Sequence, residues 1–364
     1  MKRVAALLIT VVAYFIAESI GGPLWGLGVG IVTTIAANLL QKSGQSKTAI
    51  SWRETIFDCL LLLVLFGIDM LVDNTNPEAK SLITSALLAL MLASMQMPFG
   101  RRYIENLMES MRSGITRSPY ILSLMRQSLL RMTLWALAST VMYGIAFLTT
   151  EGSAKDWVES YGIWVILLGY VATEIVMGRV RQAKYKDAEW VQLVDSEGRV
   201  AGGCPRPLVH NGSHWLHAVV HLHVFDNKGR LLLQLRPKSK KIQPGRWDTA
   251  VGGHMACGEK LEDALQRETW EEIGLREFKA QLTNRYIWNS DVEQEYVFVF
   301  QTYANGPFNP KNVGEVDELK FWSVQELEDA IGKGSLTGNL EYELTNGLLA
   351  KMKTMKRQYM CAWV

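Results

Sequence analysis

Long apolar runs fill the first half of the chain; in the second half they give way to short alternating segments separated by turn residues. Six runs, at 4–20, 22–40, 55–72, 81–97, 129–149 and 160–178, approach the ~20 residues a helix needs to cross a bilayer. No small-residue cleavage site follows the first run, so it is read as a span and not as a cleaved signal. Beyond 185 the periodicity changes. Strands are predicted at 190–194, 216–225, 231–235, 296–303 and 319–324, with turns at Asp195–Gly198 and Asp226–Gly229. Helices are predicted at 325–331 and 340–359. The pattern therefore predicts a multipass α-helical membrane domain of about six spans over 1–180, a linker over 181–189 and an α/β domain over 190–364, a mixed sheet flanked by helices.

Charge orients the first half. Lys2 and Arg3, then Lys42, Lys47 and Arg53, then Arg101, Arg102, Arg112, Arg117, Arg126 and Arg131, then Arg179, Arg181, Lys184 and Lys186 fall in alternate connections. The intervening ones carry Glu18, then Asp73 and Glu78 with Lys80, then Glu151, Asp156 and Glu159 with Lys155. The positive-inside rule puts both termini and the second half in the cytoplasm. Ile104, Leu107, Met108, Met111 and Ile115 recur at helical spacing within the 98–131 loop, an amphipathic helix expected in the interface. Gly26 and Gly30 form a small-xxx-small pair suited to close helix packing. Asp58 and Asp69 share a face of the third span, and Glu174 lies near the end of the last; all three are read as interfacial acids.

A net charge of +2 and no basic stripe interleaved with aromatics argue against nucleic acid as a partner. The four cysteines, Cys59, Cys204, Cys257 and Cys361, form no CxxC pair, which suits a reducing compartment.

The candidate chemistry lies at 253–275. Glu268, Glu271 and Glu272 stand at i, i+3 and i+4, so on a helix they share one face. Three carboxylates so close repel one another unless a hard cation lies among them, which points to Mg²⁺ or Mn²⁺. Just upstream, Arg236, Lys238, Lys240, Lys241 and Arg246 make a local basic cluster able to draw anionic phosphates.

The acidic stretch resembles the Nudix box at eight positions: Gly253, Glu259, Arg267, Glu268, Glu271, Glu272, Gly274 and Leu275. Thr269 departs from it, standing where an aliphatic residue is usual. The surroundings, from about His210 to Trp322, resemble the Nudix-type isopentenyl-diphosphate isomerases, in the basic SKK, Pro244-Gly245 with Trp247, Gly253-His254, Gly258-Glu259 and Asp263-Ala264. That resemblance implies a second metal site from three histidines and two glutamates, matched here by His210, His217, His254, Glu293 and Glu295. Zn²⁺, Mn²⁺ or Fe²⁺ suits such a set. Two departures weigh against isomerisation: Gly252 stands in the slot of the isomerase cysteine, and every box glutamate is kept.

The resemblance thus implies a hydrolase of the isomerase-like group, cleaving a diphosphate linkage in a nucleoside-diphosphate or an isoprenoid or lipid diphosphate. Glu268, Glu271, Glu272 and Glu259, with a backbone carbonyl near Gly253, would hold the metal, and Arg267 would orient the carboxylates. The base would come from the box or from Glu293, Glu295 or Glu315, and Arg236, Lys240, Lys241 and Arg246 would grip the diphosphate. An isomerase and a non-catalytic diphosphate sensor or transporter partner are the alternatives. The first half, over roughly 1–180, with its Pro98-Phe99-Gly100 turn and Trp157 loop, resembles the bacterial intracellular septation protein A family, which implies a bacterial inner membrane.

Overall fold

The computed structural model describes residues 20–43, 77–98, 118–149, 152–240, 242–311 and 314–354, with isolated positions elsewhere between 10 and 100. The chain divides into two compact units, Met1–Arg117 with Ile121–Lys184, and Ser118–Tyr120 with Tyr185–Val364.

The described part of the first unit is helical: α1 (Pro23–Ser43), α2 (Pro77–Ser94), α3 (Pro119–Leu148) and α4 (Ser153–Lys184). Among the described residues, only α3 and α4 are long and apolar enough to cross a membrane. The expected spans at 22–40 and 81–97 are helical, but their apolar cores, Leu24–Ala36 and Ser81–Ser94, rise only about 20 Å at 1.5 Å per residue, short of the ~30 Å hydrocarbon layer. Six spans are therefore not supported. The runs at 4–20 and 55–72, the amphipathic helix of the 98–131 loop, Asp58 and Asp69 lie outside the described residues. Two boundaries also move. Pro119 opens α3 at its first position, where the missing N–H costs nothing, so Arg126 and Arg131 are helical and not in a loop. Nothing breaks α4 before Lys184, so the helix runs through the first part of the predicted linker.

Polar side chains join α3 to α4. Arg131 donates twice to Glu174, at 2.7 and 2.9 Å; Trp135 Nε1 donates to Thr173 Oγ1 at 3.1 Å; Ser128 and Tyr170 hydroxyls lie 3.0 Å apart. Glu174, expected to face water, is thus held by an arginine of the neighbouring helix. Gly26 and Gly30 are buried together with Thr34 on one face of α1, as the small-residue spacing predicts.

In the second unit the strands are β1 (Trp190–Val194), β2 (Val200–Pro205), β3 (His217–Phe225), β4 (Leu231–Leu235), β5 (Trp247–Thr249), β6 (Val251–His254), β7 (Gln281–Asn289), β8 (Gln294–Tyr303) and β9 (Glu318–Trp322), with α5 (Leu261–Ile273), α6 (Val324–Ala330) and α7 (Gly338–Glu343). All five predicted strands form. The sheet is mixed: β3 pairs in parallel with β8 and antiparallel with β1, β4 and β6, while β7 lies outside β8 and β9 beside β4. Every residue of β3 is buried. Its even positions Ala218, Val220, Leu222 and Val224 pack with Ala264, Leu265 and Ile273 of α5. A second core joins Phe225, Leu231 and Leu233 to Leu327, Leu340 and Leu344. The odd positions of β3, His217, His221 and His223, point the other way and are buried too. Alternation correctly predicts the strand, but its polar face is a covered interior surface and not a solvated one.

Candidate active site and metal centres

The box residues open as a sharp turn and close as a helix. Glycine at 253 is required by contact, because a β-carbon there would collide with the Glu268 carboxylate. Gly274 ends α5 in the left-handed conformation, φ 73°, its N–H returning to the Trp270 carbonyl. Between them Arg267 works as a clamp. Its Nε and Nη2 donate to the two oxygens of Glu259, both at 2.9 Å; Nη1 donates to Glu268 Oε1 at 2.6 Å; Nη2 also reaches the His254 carbonyl at 3.1 Å. Glu271 lies 3.5 Å from Nη1. Arg267 thereby ties Glu259 and Glu268 together. Glu259 is different: with both oxygens on Arg267 and a further hydrogen bond from Ala256 N–H, it serves the clamp.

Glu272 is buried and accepts from Gly252 N–H at 2.9 Å and from Gln234 Nε2 at 3.0 Å. Burial pushes the Glu268 carboxyl up to about 7, against the pull of Arg267. Burial, then the neighbouring Glu268, drives Glu272 well above the ordinary carboxylate range. Two desolvated acids with too little positive charge are the condition a divalent cation relieves. The donor set fits a hard ion.

The second set converges from four segments. His210, His217 and His254 offer ring nitrogens within 4.8 Å of one another, and so do His217, Glu293 and Glu295 as a group. The rings of His217 and His254 stack at 5.2 Å, and His210 Nδ1 abuts the Glu293 carboxylate. Trp215 carbonyl takes Nδ1 of His217 at 3.1 Å, which leaves Nε2 as the acceptor aimed inward. Nε2 of His217 and of His254 are buried without a hydrogen-bond partner. Burial lowers the His217 pKa to about 4 and that of His254 well below the usual value, so both rings are neutral ligands at pH 7. Orphaned, neutral imidazoles beside buried carboxylates fit a transition metal. Asn339 Nδ2 holds Glu295 at 2.7 Å, and burial, then Glu293, raises Glu295 to about 7.

The three box carboxylates and, of the second set, His210, His254, Glu293 and Glu295 line one cavity of about 1120 Å³, together with Arg236, Lys240, Glu315, Asp248 and His221. Strand β6 joins them: Gly252 N–H binds Glu272, Gly253 packs on Glu268, and the His254 ring enters the histidine set. Arg236 is fixed by Asp248 at 3.0 Å and by the Ile242 carbonyl at 3.2 Å, and Lys240 lies 3.3 Å from Glu315. Arg246 is exposed and off the cavity lining, so it does not join the grip predicted for it; its carbonyl instead receives the Arg236 N–H in the turn. Lys241 lies outside the described residues.

Sequence reasoning missed the residues that hold the site from behind. Gln234 showed as the one polar residue in LLLQL, and Asn339 gave no signal. It also missed a buried constellation on α7. Glu343 takes His221 Nδ1 at 2.7 Å on one oxygen and His223 Nε2 at 2.6 Å on the other, with Tyr286 Oη donating at 2.7 Å.

Residues 215–338 match the family described as NUDIX domain. An isopentenyl-diphosphate Delta-isomerase of Clavibacter michiganensis is 32% identical over 149 residues, 39% of this chain and 76% of that protein. An uncharacterized Nudix hydrolase of Pseudomonas aeruginosa is 30% identical over 141 residues, 37% of this chain and 79% of that protein. An isopentenyl-diphosphate Delta-isomerase of Mycolicibacterium vanbaalenii is 42% identical over 88 residues, and there the chain spans only 49% of its relative's length. The chain belongs to the Nudix family. The family match lies wholly in the second half, and a resemblance of the first half to septation protein A is not shown.

Proposed function

We propose that this Nudix protein is a metal-dependent pyrophosphohydrolase, anchored in the inner membrane by its first half and acting on the cytoplasmic side. One observation carries the catalytic reading. Glu268, Glu271 and Glu272 line the same cavity as Arg236 and Lys240, while Gly252, in the slot where the isomerases place a thiol, brings no side chain. Carboxylates for a hard cation beside fixed cations for phosphate equip the cavity for hydrolysis; the acid–base pair that an allylic proton shift needs is incomplete.

Glu268, Glu271 and Glu272 would hold Mg²⁺ or Mn²⁺, and His210, His217, His254, Glu293 and Glu295 a second ion. When bound, these ions supply charge neutralisation at the diphosphate and activation of water. The chain's own residues do the rest. Arg236, braced by Asp248, and Lys240 orient the diphosphate oxygens. Arg267 keeps Glu268 and Glu271 in place. A carboxylate on the cavity wall, from the box or Glu293, Glu295 or Glu315, accepts the proton of the attacking water. The new P–O bond forms as the bridging P–O bond breaks, and the leaving phosphate departs with the electron pair.

The substrate is a diphosphate ester, and the isomerase-like frame together with the apolar first half favours an isoprenoid or lipid diphosphate over a soluble nucleotide. The membrane reading is supported by the apolarity and length of α3 and α4 and by the alternation of basic connections. Incubating the detergent-solubilised protein with isopentenyl diphosphate and Mg²⁺ in deuterated water tests the chemistry. Phosphate release without carbon-bound deuterium is expected. Deuterium in recovered diphosphate would overturn the hydrolase reading in favour of the isomerase.

A further inference from the structure

The Glu343 constellation reaches the cavity wall through one of its three partners. One buried carboxylate receives three donors from three strand positions, His221 and His223 on β3 and Tyr286 on β7, and so pins α7 to the sheet. His221 differs from the other two because it also lines the diphosphate cavity. Its Nδ1 is committed to Glu343, so the only ring nitrogen free to act is Nε2. Nε2 faces Gly252: a β-carbon built on that glycine would lie 3.6 Å from Nε2 and 3.5 Å from Cδ2, ordinary contact distance with nothing closer. Glycine at 252 therefore leaves the imidazole edge uncovered at the cavity wall.

We propose that His221 is a substrate-binding residue of this cavity, its Nε2–H donating to a diphosphate oxygen beside Gly252, and that Glu343 is its positioning residue. The proposal rests on the diphosphate reading above. The loss of the thiol at 252 and the presence of an imidazole behind it then have one explanation: the space vacated by the side chain is where phosphate oxygen approaches the ring. Glu343, Asp248 and Glu295 surround His221 with negative charge, and their effect outweighs burial, which by itself would lower the ring's pKa; the value stands at about 9. The ring is thus a cationic donor at neutral pH, worth more to an anion than a neutral one. It reaches the diphosphate from the sheet side, where Arg236 and Lys240 of the 236–246 turn do not stand.

Binding of imidodiphosphate, a non-hydrolysable diphosphate, to the full chain in detergent with Mg²⁺ tests this by calorimetry, with thermal melting as the check on folding. His221→Ala is expected to weaken binding about ten- to a hundredfold, the cost of one charge-assisted hydrogen bond. His221→Gln, which keeps an N–H near the Nε2 position, is expected to recover most of it. Glu343→Gln is expected to fall between the two, and millimolar imidazole to restore turnover of His221→Ala but not to stimulate the wild type. Equal binding by wild type and His221→Ala, or equal loss in the Ala and Gln variants, would overturn the proposal. Should His221→Ala fail to fold, Gly252→Val decides: it leaves the Glu343 network whole and covers Nε2, so unchanged binding overturns the proposal and weakened binding supports it. Wild-type binding that is lost in Glu272→Gln upholds the diphosphate reading whatever His221 does. No binding by the wild type overturns that reading and this proposal with it.

Discussion

His217 and Glu295 are register partners across the parallel pairing of β3 with β8. Partners in a parallel pair face the same side of a sheet, so this one register puts an imidazole and a carboxylate against each other and carries Glu293 in behind. The same strand β3 receives His254 from β6, opposite Val219. The second metal set is thus a product of strand order.

Metal content should separate the two centres. Purified protein loaded with Mn²⁺ is expected to lose about one ion per chain on His254→Gln, because a histidine set loses much of its affinity with one ligand gone. Glu272→Gln should leave that ion in place. Elemental analysis of both variants after dialysis is the measurement, and equal content in wild type and His254→Gln would remove the histidine site.

Turnover should respond to the box. Glu271→Gln and Glu272→Gln preserve size and remove charge, and each is expected to lower kcat by about a hundredfold or more, metal charge stabilisation being worth several kcal/mol. Circular dichroism should be unchanged. Near-wild-type release of phosphate by both variants would leave the glutamates as a structural face only.

Thr269 is fully buried in α5 and its hydroxyl has no partner. An unmet buried hydroxyl costs about 1–3 kcal/mol. Thr269→Val, which restores the aliphatic residue usual at that place in the box, is therefore expected to raise Tm by roughly 2–6 °C with activity intact. A lower Tm would show that the hydroxyl is satisfied in solution.

The Glu343–His221 pair gives stability a pH signature. The ring's pKa rises to about 9, since Glu343 overrides the lowering effect of burial. The Glu343 carboxyl falls below its usual range because the two histidines outweigh its burial. A raised histidine contributes stability that is complete below its unfolded pKa of about 6.5 and is lost as pH climbs through the folded value. The depressed carboxylate contributes above its ordinary value and loses that as pH falls. The Tm gap between wild type and Glu343→Gln should therefore be widest near pH 6 and narrow steadily toward pH 10. A gap that stays flat over that range would deny the charged pair.

Topology is open to labelling. In a cysteine-free background, a single cysteine at Lys333 is expected to resist a membrane-impermeant maleimide in intact cells, and one at Gly152, between α3 and α4, to react. Lys333 is chosen because it is exposed on the second unit. Labelling there would place the Nudix domain outside and remove any cytoplasmic substrate.

The sequence by itself determined the elements whose signal is local. The spacing of Glu268, Glu271 and Glu272 demands one helix face whatever surrounds it, Gly274 marks its end, and alternation over 216–225 and 296–303 finds the two central strands. Resemblance carried the histidine set, which no spacing could reveal, since His210 and Glu295 are separated by 85 positions (295 − 210). Tertiary structure alone decided which polar residues face what. Glu259 reads as a ligand and is an arginine's partner, because Arg267 reaches back past the start of α5 to both its oxygens. Arg246 reads as a phosphate grip and faces solvent, because the 236–246 turn leaves it outward while Arg236 and Lys240 line the cavity. β2, β5, β6 and β7 were missed: β2 is rich in glycine, β5 and β6 are only three and four residues long, and β7 is a polar edge strand, half-exposed, whose pairing comes from β8 and not from its own pattern. Most of all, the polar alternation of β3 gave no hint that His221 and His223 are buried. A strand's period says that two faces differ; only packing says what covers each, and here α7 closes over the polar one with Glu343.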